Sequence, residues 1–133
     1  MKNSCEFDSF SAHCLDVDIL HIDFKKVKKL RAQDVEDIYV CHRKLGNGNK
    51  IYVLVTFRGF VPMSDEAMAE AKKQGKDEVQ AAVAYVIKNF ASRMGLKFFM
   101  NFYKPKYPIN VTATKSEALA WLKKQKRLNE QKG

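Results

Sequence analysis

Between Ile19 and Phe24 the side chains partly alternate, with Leu20, Ile22 and Phe24 on one face and Ile19, His21 and Asp23 on the other. A period of two marks a strand with unlike faces. Residues 7–15 are mixed, with Phe7, Phe10 and Cys14 as the main apolar positions, and read as a weaker strand at the sheet edge. Asp16-Val17-Asp18 supplies the polar turn of a hairpin between them. From Ala32 the apolar spacing changes to steps of three and four, through Val35, Ile38, Tyr39, His42 and Leu45, which predicts a helix. Asp34, Glu36 and Asp37 near its start and Arg43 and Lys44 near its end suit the helix dipole. Gly46-Asn47-Gly48-Asn49 stops it, since both residue types accept the left-handed backbone of helix ends.

The same contrast repeats downstream. Residues 51–57 form a continuous β-branched and aromatic run, the mark of a strand buried on both faces. After a loop with Gly59 and Pro62, Ser64 is placed as an N-cap, with Asp65 and Glu66 in the first turn of a helix ending near Lys72-Lys73-Gln74-Gly75. Residues 81–87 predict a second buried strand, and 88–103 a helix apolar over most of its circumference. Lys104-Pro105-Lys106-Tyr107-Pro108 ends that helix, because proline removes a donor and restrains its predecessor. Residues 109–113 read as a short strand, and Thr114 with Glu117 as the capping box of a last helix carrying Ala118, Leu119, Trp121 and Leu122. The charged tail from about 123 is expected to fray.

Alternation of this kind calls for one α/β domain over 1–133. The expected sheet has four to five strands, mostly parallel with an antiparallel edge strand, under about four packed helices.

Composition narrows the setting. The 133 residues are 46% hydrophobic, enough for a real core. A formal charge of +9 permits an anionic partner without choosing among nucleic acid, lipid or acidic protein. Three cysteines, with no CxxC pair and no histidine at ligand spacing, argue against a disulfide framework or a zinc site. No secretory signal or membrane span is expected, and a reduced, cytoplasmic compartment follows.

No segment carries a catalytic signature, so no enzyme activity and no cofactor are expected. His13, His21 and His42 are scattered, with no serine, cysteine or acid at a recognisable local spacing. His42 falls on the apolar face of its helix and reads as a packing residue. Cys41 is its neighbour in sequence, but adjacent helical residues point about 100° apart. The Gly46–Asn49 turn follows a helix and precedes a strand, the reverse of a phosphate loop.

Three segments carry a family likeness. They are Ile19-Leu20-His21-Ile22-Asp23-Phe24-Lys25, the strand, glycine loop and capped helix start of residues 53–66, and Asn101-Phe102-Tyr103-Lys104-Pro105-Lys106-Tyr107-Pro108 leading to Glu117-Ala118-Leu119-Ala120-Trp121-Leu122. Over about 15–125 this order resembles the STAS-like (SpoIIAA-like, anti-sigma-factor-antagonist-like) domains, above all a branch of small stand-alone bacterial proteins of unassigned function. The resemblance implies four or five strands, helices on the sheet and a non-enzymatic role. In better-known relatives a partner kinase phosphorylates a serine at the start of the helix after the third strand. The relatives' Asp-Ser-Ser-Gly type sequence is absent here, which leaves Ser64, beside Asp65, both as the regulatory candidate and as a plain N-cap.

The apolar helix bears on function too. Phe90, Met94, Phe98, Phe99, Phe102 and Tyr103 exceed what one sheet-facing stripe needs. They are expected to lie within the monomer core, at a homodimer interface, or against an apolar, lipid-like ligand. Lys104 and Lys106, interleaved with Tyr103 and Tyr107, are the anion-binding candidates, although nucleic acid is the weakest of the partner readings. The leading expectation is a non-catalytic regulatory domain acting through a homodimer and another protein partner. A carrier of a small apolar ligand is the alternative, and a basic nucleic-acid-associated protein the second.

Overall fold

The computed structural model describes residues 4–46, 49–59, 63–74, 80–89, 91–95 and 106–132. Its first elements are strands β1 (Ser4–Glu6), β2 (Phe10–Cys14) and β3 (Ile19–Phe24), followed by helix α1 (Ala32–Leu45). Then come β4 (Ile51–Phe57), α2 (Asp65–Gln74), β5 (Gln80–Val86), a helical stretch α3 at 91–95, β6 (Ile109–Thr112) and α4 (Lys115–Lys132). The strands lie in the order of the chain, β1-β2-β3-β4-β5-β6. The pairs β1–β2 and β2–β3 are antiparallel, and the three pairs from β3 to β6 are parallel.

The sheet is the expected mostly parallel one, but it holds six strands. The segment read as one weak edge strand contains a reversal: the Phe7 amide donates to the Phe10 carbonyl at 2.9 Å, and the two rings stack at 4.8 Å. Asp8 and Ser9 turn the chain there, so Ser4–Glu6 becomes the edge and β2 moves inside the sheet. Alternation does not register a strand of three residues.

Each helical crossover moves the chain one strand along. Right-handed connections stepping in one direction keep their helices on one face, and α1 and α2 share such a face. Leu20, Ile22, Phe24, Val53, Val55 and Val83 pack there with Val35, Ile38, Tyr39 and Ala67. The opposite face belongs to α4, whose Ala118 and Leu122 meet Ile19, Tyr52, Leu54, Ala82 and Ala84. Ala82 and Ala84 are small and fully buried, which lets the α4 backbone sit close to β5. Residues 51–55 are all buried, as a central strand covered on both faces requires.

The helix starts are built as the side-chain chemistry demands. The Asp34 carboxylate accepts from the Arg31 amide at 2.8 Å and from the buried Ser9 hydroxyl at 3.0 Å, tying α1 to the β1–β2 turn. At α2 the Ser64 hydroxyl oxygen accepts the Ala67 amide at 2.9 Å. At α4 the Thr114 hydroxyl oxygen accepts the Glu117 amide at 3.2 Å. The tail expected to fray from about 123 is instead helical through Lys132. It is held because the Asn129 amide donates to the Tyr52 hydroxyl at 2.8 Å and Lys126 lies 3.5 Å from Asp18.

Candidate functional site

All four parallel strands end on the same side of the sheet, the side on which open α/β sheets receive ligands. A cavity of about 1460 Å³ opens there and runs along the α1 and α2 face. Its walls are mostly apolar: Ile22 and Phe24 from β3, Val53 and Val55 from β4, Val83 and Tyr85 from β5, and Ile109 from β6. Val35 and Ile38 of α1 and Met68 and Ala71 of α2 face them. This volume exceeds the roughly 300–1,000 Å³ usual for small-molecule sites.

The two ends of the cavity differ chemically. Arg58, Lys88 and Lys115 stand at the strand ends, beside Asn89 and Thr114. Lys88 and Lys115 have no carboxylate partner among the described residues, whereas Arg58 Nε donates to Asp23 Oδ2 at 2.8 Å. The opposite end is walled by His42, Tyr39 and Gln80, with Gln80 Nε2 donating to the Tyr39 hydroxyl at 2.8 Å. His42 is 2% exposed, its ring stands edge-on to that of Tyr39 at 5.0 Å, and neither ring nitrogen has a hydrogen-bond partner among the described residues. Burial, with a smaller push from Arg43, lowers its pKa to about 3, so the ring is neutral at pH 7.

A second polar group lies near the mouth on the α4 side of the sheet. The Thr56 hydroxyl donates to Asp23 Oδ1 at 2.7 Å, and His21 Nε2 lies 2.7 Å from the same hydroxyl. Since threonine has one proton and gives it to the carboxylate, His21 carries its proton on Nε2 and donates it. His21 Nδ1 is then a bare, buried acceptor without a partner among the described residues. Burial first, then the charges of Lys115 and His13, lower His21 to about 4 against the opposing pull of Asp23. His13 meets the His21 ring edge-on at 4.9 Å. Burial alone would raise the Asp23 carboxyl, yet bonds from Arg58 and Thr56 leave it lowered.

The residues singled out by sequence fall as follows. Ser64 is buried and serves as the cap of α2; Asp65 follows it, exposed. Met94, in α3, is 48% exposed. Lys106 is exposed before β6 and lies beside a smaller surface pocket with Lys50, Tyr52 and Asn129. Phe90, Phe98, Phe99, Phe102, Tyr103 and Lys104 lie outside the described residues. The sequence reading missed the cavity and the His21–Thr56–Asp23–Arg58 chain. The available signal was polar residues at 21, 23 and 56 on strands otherwise apolar. Among the described residues no group of three His, Cys, Asp or Glu could hold a metal ion, and no helix is long and apolar enough to cross a membrane.

Three comparisons bear on kinship. The family described as "Domain of unknown function (DUF7793)" matches residues 13–126. No curated protein matches the chain. Among solved structures, the chain is similar to an uncharacterized protein of the DUF3478 family with a SpoIIAA-like fold from Shewanella loihica PV-4. The two are 18% identical, cover 92% of this chain and 95% of that one, and superpose with a TM-score of 0.61. The fold is therefore STAS-like, as the likeness of residues 15–125 implies.

Proposed function

The chain belongs to the DUF7793 family, and we propose that it is a non-catalytic cytosolic binding domain whose cavity takes a long-chain anionic amphiphile such as a fatty acid. The observation that carries this reading is a large apolar cavity whose mouth is lined by Arg58, Lys88 and Lys115. An acyl chain matches the walls and a carboxylate matches the mouth. Burying a dozen methylenes at roughly 0.8 kcal/mol each yields about 10 kcal/mol. Loss of translational and rotational freedom costs about 4–15 kcal/mol. The head group at Lys88 and Lys115 therefore decides whether binding is useful, even though each exposed contact is modest.

The test is titration of lipid-stripped protein with palmitate, read by displacement of a fluorescent fatty acid. One saturable site, weakened in Lys88→Glu/Lys115→Glu and weakened by salt, is the expected result. No displacement up to the solubility of palmitate refutes the reading.

A regulatory protein contact is the second reading, favoured by the exposure of Met63 at the cavity and of Met94 in α3. Light scattering over a concentration series tests its homodimer form, and a strictly monomeric protein removes it. Phosphorylation of Ser64 draws no support from a hydroxyl that is buried and engaged as a cap.

A further inference from the structure

The inner end of the cavity is not built for the end of a hydrocarbon chain. His42 sits on the inward stripe of α1 with Val35, Ile38 and Tyr39, at a position where a leucine would complete an apolar wall. Instead an imidazole with two unpartnered nitrogens is enclosed there. Leaving buried polar atoms unpaired is costly, and such atoms are rare in folded proteins. Gln80 and Tyr39 beside it add a second polar pair to the same end.

A neutral imidazole offers one N–H donor and one bare nitrogen. Among the described residues no cation lines this end, since Arg58, Lys88 and Lys115 are at the strand ends, so a carboxylate is poorly matched. No carboxylate among the described residues lines it either, so an ammonium group is equally mismatched. A hydroxyl can both donate and accept, and pairs with His42 in either tautomer. Resting on the amphiphile reading above, we infer that the cavity selects a hydroxylated long-chain acid, with the carboxylate at the Lys88–Lys115 mouth and the hydroxyl bonded to His42. The span from Gln80 to Val86 is seven residues of strand, about 20 Å at the usual rise, so the hydroxyl belongs at or near the far end of the chain.

The experiment compares palmitate with ω-hydroxypalmitate on lipid-stripped full chain and on His42→Leu. The wild type is expected to bind ω-hydroxypalmitate about tenfold more tightly. His42→Leu is expected to lose that preference, binding the two acids with equal affinity. As a check that needs no variant, the ring nitrogens of His42 are followed by NMR in 15N-histidine-labelled wild type. A shift with ω-hydroxypalmitate that palmitate does not produce supports the assignment. Equal affinity of the wild type for both acids, a preference surviving in His42→Leu, or identical NMR responses overturns the inference and leaves the amphiphile reading standing. Binding of neither acid overturns both.

Discussion

His42 also makes a prediction about the ligand-free protein. Replacing it with leucine removes two buried nitrogens that have no partner. An unsatisfied buried polar group costs about 1–3 kcal/mol, while the edge contact with Tyr39 that disappears is worth about 0.5–1.5 kcal/mol. The net expectation at pH 7 is a variant more stable by about 1 kcal/mol. Acid widens the gap. His42 titrates near 3 in the fold and near 6.5 in the unfolded chain, so the unfolded state takes up a proton first as pH falls. The stability contributed by the neutral ring is whole above 6.5 and is lost progressively toward 3. At pH 5 the loss is about 1.5 pH units at 1.36 kcal/mol each, roughly 2 kcal/mol. His21 titrates low in both proteins and cancels in the difference. The leucine variant should therefore lead by about 3 kcal/mol at pH 5. Urea unfolding followed by circular dichroism at the two pH values measures this. Parallel loss of stability in the two proteins, or a variant destabilised by more than about 1 kcal/mol, refutes the picture of an unpartnered neutral ring.

Three further outcomes are expected. Ser64→Ala should lower stability by about 1 kcal/mol through loss of the Ala67 cap, measured as a shift in the urea midpoint. Gly46→Ala should cost about 1–3 kcal/mol in thermal unfolding. Its new Cβ would lie 2.5 Å from Ile51 Cγ2 and 2.7 Å from the His42 carbonyl, although the backbone φ of −79° is ordinary. NMR titration of His21 should give a pKa near 4, and an ordinary value near 6.5 would contradict the buried His21–Thr56–Asp23 chain.

The central architecture was legible because it rests on periodicity. The runs at 51–57 and 81–87 are parallel neighbours, with Val53 opposite Val83 and Leu54 opposite Ala84. The caps at Ser64 and Thr114 were readable from single residues at fixed spacing, since a cap is a local bond. The extra strand was not, because three residues with one half-buried position leave no pattern. Nor was the extent of α4, because what holds it is Asn129 reaching Tyr52 across 77 positions of sequence. The cavity was invisible for the same reason: its walls come from four strands and from residues of all four helices, and only the fold assembles them. His42 was read as a packing residue, which its burial matches. What the helical pattern does not carry is that nothing bonds its nitrogens.

Because spatial and chain order of the strands coincide, each new strand emerging from the ribosome finds its neighbour already made. No segment waits for a distant partner except the last. Until the 18 residues of α4 arrive, Ile19, Leu54, Ala82 and Ala84 present a bare greasy surface. A nascent chain or a carboxyl-terminal truncation that stops before Leu122 would carry a nearly complete sheet that adheres to whatever it meets first.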